Sequence, residues 1–141
     1  MDTFIEKRFK KDIGALESIY VYVQNYIDAN GIDNRSSYAI QLAIEEIFSN
    51  CVKYSRGGES TISINLSRKK DSIIIVLTEF NAEPFDVTSH PDADITVPLE
   101  KREVGGLGLH LVRHMIDEIK YEYKNKNSII TLIKHLEEPD V

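Results

Sequence analysis

The hydrophobic pattern changes period several times along the chain, and the changes mark out its elements. Residues 4–10 alternate weakly and predict an edge strand. From Asp12 the period becomes helical. Ile13, Leu16, Ile19 or Tyr20, Val23 and Ile27 recur at three- and four-residue spacing, with Asp12 as N-cap and Gly31 as the stop. A second helix starts near Ser36 or Ser37, carries an apolar stripe on Ile40, Ile44, Ile47, Cys51 and Tyr54, and ends at Arg56-Gly57-Gly58. Residues 61–66 alternate cleanly, as a half-buried strand does, and Lys69-Lys70-Asp71 turns the chain back. The continuous β-branched run over 72–78 predicts a strand that is central or covered on both faces.

Residues 81–104 have no strong period and contain Pro84, Pro91 and Pro98, a length of loop that compact domains keep for function or leave disordered. Gly105-Gly106-Leu107-Gly108 then opens a helix whose apolar face is Leu107, Leu111, Met115 and Ile119. Two strand-like segments, 121–123 and 128–133, close the chain around Asn125-Lys126-Asn127. Strands and helices do not alternate strictly in this order. The expected fold is therefore α+β, a two-layer sandwich with a mixed, mostly antiparallel sheet and helices on one face. With 141 residues, one domain spanning 1–141 is expected.

Composition narrows the function. Apolar residues are 42% and charged residues 28%, the balance of a soluble globular protein. The formal net charge is −6 and no basic stripe interrupts it, which argues against sequence-independent binding to nucleic-acid phosphates. The longest apolar run, 73–77, is far short of the roughly 20 residues a membrane helix needs. The N-terminus lacks the basic-then-apolar pattern of a signal peptide, and Cys51 stands alone, so no internal disulfide forms. A cytoplasmic protein is expected.

Two features carry candidate chemistry. On the second helix, at about 100° per residue, the stripe clusters within roughly 40° of one direction, and Glu46 and Asn50 share a face roughly 80–120° away. Ala39 and Ala43 lie on the same flank and leave room there, while Glu45 falls on the other. A carboxylate and an amide oxygen so placed suit a magnesium ion beside a phosphate, and the carboxylate could take a proton from an attacking hydroxyl. Taken alone, this spacing is commonplace on solvated helices. The glycine loop is the second feature. Glycines let backbone N–H groups turn inward, and a helix N-terminus adds free donors and a positive dipole end. The loop has neither the Gly-Lys-Ser/Thr of a P-loop nor the third glycine and preceding strand of a dinucleotide turn.

In combination and order, these segments resemble the GHKL (Bergerat-fold) ATPases, and among them the anti-sigma-factor serine kinases. The matching runs are 43–50, 83–86, 94–99, 105–113, 117–121 and 127–132, so the resemblance extends over nearly the whole chain from about residue 10. It implies ATP and Mg2+ as cofactors. It implies Glu46 as the base or water-orienting group, Asn50 as the magnesium ligand, and Gly105, Gly106, Leu107 and Gly108 as the phosphate cradle. It implies an ATP lid over about 86–104 and Thr131 near the adenine. It implies a homodimer that binds a sigma factor and phosphorylates a serine on a small STAS-type antagonist, with no direct contact to nucleic acid or membrane.

The family pattern also carries an Asp and a Gly before the Pro-Phe pair, the Asp reading the adenine amino group. Counting back from Pro84-Phe85 puts Phe80 and Ala82 at those positions. Phe80 accepts no hydrogen bond; Glu79, one residue earlier, is expected to face the other way on a strand, and Asn81 could accept only where the strand bulges, so a loss of about 1–3 kcal/mol in nucleotide binding is expected. The rival expectation is a non-catalytic, nucleotide-impaired binding module of the same fold. A detached ATP domain of a histidine kinase is a third. His110 and His114, four apart, lack a third ligand for a metal; Lys101 and Arg102 read as lid charges, and Cys51 as a core residue.

Overall fold

The structure is a computed structural model of the chain. It describes residues 4–55, 60–84 and 106–136, with the backbone alone for 106–108. Five strands and three helices follow one another: β1 (Phe4–Lys10), α1 (Leu16–Ala29), α2 (Asn34–Tyr54), β2 (Thr61–Lys69), β3 (Ser72–Glu79), α3 (Gly106–Met115), β4 (Glu118–Lys124) and β5 (Asn127–His135). The sheet order is β1-β2-β3-β5-β4, and each neighbouring pair is antiparallel. The fold is the expected α+β class, and among the described strands the sheet is antiparallel throughout rather than mixed.

Strand alternation explains the layering. Phe9, Ile62, Ile64, Leu66, Ile73, Ile75, Leu77, Ile130 and Leu132 point to one face, where they meet Ile19, Val23 and Ile27 of α1, Ile40, Ile44, Ile47 and Phe48 of α2, and Leu109 and Val112 of α3. The β-branched run in β3 makes that strand central, between β2 and β5. Its other face, Ile74, Val76 and Thr78, is only half-buried, and among the described residues no second helical layer covers it.

Local chemistry sets the helix ends. The Asp12 carboxylate accepts from the Gly14 N–H at 2.8 Å, capping a 3₁₀ turn at Ile13–Ala15 that leads into α1. Gly31, at φ +60°, takes the left-handed turn after α1. α2 begins at Asn34 rather than at Ser36, because the Asp33 side chain accepts from the Ser36 N–H at 2.9 Å. Burial works to raise the Asp33 carboxyl, but the Ser36 hydrogen bonds outweigh it and hold the group below its ordinary range.

α3 stops at Met115, and Ile119, expected on its apolar face, belongs to β4. Two bonds cause the switch. The Asp117 N–H donates to the Ile133 carbonyl at 3.0 Å, and the Asp117 carboxylate accepts from the His135 N–H at 2.7 Å, tying the chain to β5 directly after the helix. No helix among the described residues is long and apolar enough to cross a membrane.

Candidate functional site

One helix supplies most of the site. α2 packs against both β5 and α3, and Glu46 and Asn50 lie one turn apart on it. Asn50 is 1% exposed, and its Oδ1 has no hydrogen-bond partner among the described residues. A buried amide oxygen left unsatisfied costs free energy unless something completes it. An oxygen donor is what a hard cation such as magnesium takes, so the residue present fits the implied metal. Glu46 is half-buried, with Oε1 shielded from solvent. Gly106, Leu107 and Gly108 form the first turn of α3, whose unpaired N–H groups and dipole suit an anion. Gly105 and the expected lid over 86–104 lie outside the described residues.

The far end of the candidate site centres on Glu79, which alternation counted from Phe80 assigns to the opposite face. β3 buries Ile73, Ile75 and Leu77 toward the helices, and the same alternation brings Glu79 to that face, where it is 3% exposed. Glu79 pairs in register with Ser128 of β5 on one side and Ile62 of β2 on the other. With Cys51 of α2, Leu77 and Ile130, these residues line a narrow cleft. The Glu79 carboxylate accepts from Ser55 Oγ at 2.8 Å and from Lys11 Nζ at 2.6 Å. Asn50 and Cys51 are consecutive, so the unsatisfied amide adjoins this cleft along α2.

Phe80 and Thr131 are not brought to it. Phe80 lies on the opposite face of the sheet, its ring 4.2 Å from the Arg8 guanidinium carbon. Thr131 pairs with Val76 and Lys120, whose side chains share that open face. Ser128 and Ile130 are the β5 residues in the cleft. Asn81 is exposed at the turn after β3, where its φ of 52° absorbs the left-handed conformation. That position of the strain explains why Ala82 serves where the family pattern carries glycine: Ala82 is not at positive φ, and its backbone is held by Lys126 and by the Tyr123 hydroxyl.

Burial, then the charge of Glu79, push the Cys51 thiol up to about 12, with Lys11 opposing. The thiolate is the reactive form of cysteine. Cys51 is therefore expected to resist a disulfide reagent such as DTNB in the native protein and to react fully once denatured; fast labelling of the native protein would contradict the buried placement. A wider cavity of about 530 Å³ opens between α1 and α2, lined in part by Tyr20, Gln24, Tyr38 and Gln41. Neither Asn50 nor Glu79 lines it, and the unsatisfied amide outweighs its size as a marker of chemistry.

An antiparallel α+β sandwich with a carboxylate and a buried amide one turn apart on its second helix is the arrangement of the histidine kinase-like, or GHKL, ATPases. The chain belongs to that family: residues 9–134 match the histidine kinase-like ATPase domain. It is 24% identical over 127 residues to the serine-protein kinase RsbW of Listeria monocytogenes, covering 82% of this chain and 80% of the relative. To the serine-protein kinase RsbW of Halalkalibacterium halodurans it is 22% identical over 125 residues, covering 82% and 76%.

Among solved structures, it resembles the RsbU and RsbW domains of Rv1364c from Mycobacterium tuberculosis, with a TM-score of 0.69 at 14% identity, over 97% of this chain and 33% of that one. The Acinetobacter baumannii histidine kinase AdeS matches with a TM-score of 0.51 at 14% identity, over 96% and 70%. At such identity these structures bear on the fold alone.

Proposed function

We propose that this chain binds Mg-ATP and transfers the terminal phosphate to a serine of a partner protein, in the manner of an anti-sigma-factor serine kinase. The carrying observation is the buried, unsatisfied Asn50 Oδ1 one turn from Glu46. In this reading Asn50 holds magnesium, which draws charge from the phosphates when bound. Glu46 accepts the serine hydroxyl proton, and the first turn of α3 with Gly105 cradles the phosphates. Glu79 and Ser128 take the base end. Similarity to serine-protein kinases named RsbW supports the substrate class. It extends, as part of the proposal, to a cytoplasmic homodimer that binds a sigma factor and phosphorylates a STAS-type antagonist that otherwise displaces that factor, the lid over 86–104 closing on the nucleotide.

Titration calorimetry with Mg-ATP tests the nucleotide, and transfer of labelled phosphate to a co-encoded antagonist tests the reaction. Binding and serine phosphorylation are expected, with both sharply reduced in Asn50→Ala. Binding without transfer to any antagonist would remove the kinase step alone, whereas the nucleotide-impaired module requires that binding be weak or absent. Absence of binding would end the proposal. Phe80→Ala is expected to leave Mg-ATP affinity within about twofold, since its ring faces away from Glu79 and changes at such sites are usually small. A tenfold loss would return Phe80 to the base pocket.

A further inference from the structure

The Glu79 carboxylate is the most deeply placed charge around the site, and a carboxylate removed from water persists only with compensating partners. Its partners come from two distant parts of the chain. Ser55, at the C-terminal cap of α2, donates to Oε2 at 2.8 Å. Lys11, just past the end of β1, donates to Oε1 at 2.6 Å and to the Ser55 carbonyl at 3.1 Å. The Lys11 side chain is itself largely shielded, at 13% exposure. Its anchorage is local: the Lys11 N–H donates to the Ser60 carbonyl at 2.7 Å, which fixes the residue beside the start of β2.

Lys11 does not line the cleft; Cys51, Leu77, Glu79, Ser128 and Ile130 do. An ionised carboxylate accepts at about four lone-pair positions and donates none. Lys11 and Ser55 occupy one position on each oxygen, leaving acceptor capacity for a group that reaches Glu79 between α2 and the paired strands β3 and β5. A purine with an amino group at carbon 6 can donate to it. The 6-oxo counterpart presents an acceptor to an acceptor and leaves both unsatisfied.

Building on the nucleotide-binding reading above, we propose that Lys11 is a positioning residue that holds Glu79 as a charged acceptor and so makes the site select a 6-amino purine over a 6-oxo purine. Lys11 acts from behind the carboxylate, through an ion pair, without touching the base. Removing it leaves Glu79 free to turn away from the base, which erases the discrimination while leaving the metal and phosphate groups of Asn50 and α3 in place.

The experiment is calorimetry on the full chain with Mg-ATP, Mg-ITP and Mg-tripolyphosphate. Wild type is expected to favour ATP over ITP by about tenfold or more, the cost of one unmade buried hydrogen bond. In Lys11→Met that ratio is expected to fall toward unity with tripolyphosphate binding unchanged. Lys11→Arg should restore the preference, and Lys11→Met added to Glu79→Gln should change the ratio no further. Circular dichroism checks folding, and Lys11→Gln, which keeps a neutral donor, replaces Lys11→Met if that variant does not fold. A folded Lys11 variant that keeps the full preference overturns the role of Lys11 alone. A wild-type protein that binds all three ligands without preference overturns the inference and leaves the metal–phosphate reading standing. One that binds none of the three overturns both.

Discussion

Glu46→Gln is expected to slow phosphate transfer by about 10²- to 10⁴-fold, the usual contribution of a positioned general base. Glutamine matches the shape of Glu46 and keeps its capacity to hydrogen-bond, so α2 and its packing are undisturbed. What it loses is the ability to take a proton. The effect therefore belongs to the chemical step, and Mg-ATP affinity, set by Asn50, α3 and the base end, should change little. Single-turnover transfer from labelled ATP, measured beside equilibrium binding, separates the two. A transfer rate that survives the substitution would mean that the serine proton leaves by another route and that Glu46 is structural. A matched loss of affinity and rate would mean that it binds metal or nucleotide instead.

The largest stability effect is expected at Lys11. Lys11→Met removes one member of a buried pair and leaves the Glu79 carboxylate with Ser55 as its remaining partner. Breaking a buried pair from one side costs about 3–5 kcal/mol. For a domain of this size that lowers the melting temperature by roughly 10–20 °C. The double variant Lys11→Met/Glu79→Gln should recover most of the loss, because it removes both charges and retains an amide able to bond Ser55. Urea denaturation of the four proteins of the cycle checks this. A single variant as stable as wild type would show that the pair is solvated in solution and contributes little, as exposed ion pairs do.

The fold was legible in the sequence wherever burial is one-sided and periodic. The stripe of α2, the alternation of β2 and the β-branched run of β3 all follow from packing one layer of helices against one face of a sheet. The boundary between α3 and β4 was not legible. Ile119 fits the helical stripe as well as it fits the strand, and only the bonds of Asp117 to Ile133 and His135, from a segment sixteen or more residues later, decide between them. At the site, the pairing of Glu46 with Asn50 follows from helical spacing alone.

Counting backward from Pro84-Phe85, across a turn, assigns the acceptor position to Phe80, which the structure places on the opposite face of the sheet from Glu79. Counting forward along the strand from Ile73, Ile75 and Leu77 leads to Glu79, since period two holds within a strand and fails at the left-handed Asn81. Thr131, expected near the adenine, lies on the open face of β5, one residue from the inward set of Ser128, Ile130 and Leu132. Lys11 could not be found by any local pattern, as it meets Glu79 across a separation of 68 residues.

α2 carries Glu46, Asn50 and Cys51 on a single helix, with Ser55 capping it. Over those nine steps the axis rises about 13 Å, and each residue adds about 100° of rotation. The spacing between the proposed proton acceptor, metal ligand and base-end support is thus written into chain length rather than into tertiary adjustment. A one-residue deletion anywhere between Glu46 and Ser55 would swing one end of the set about a quarter-turn from the other. Within the lineage of this chain, insertions and deletions should therefore accumulate outside this helix, and its length across 46–55 should stay constant even where the identities of the intervening residues drift.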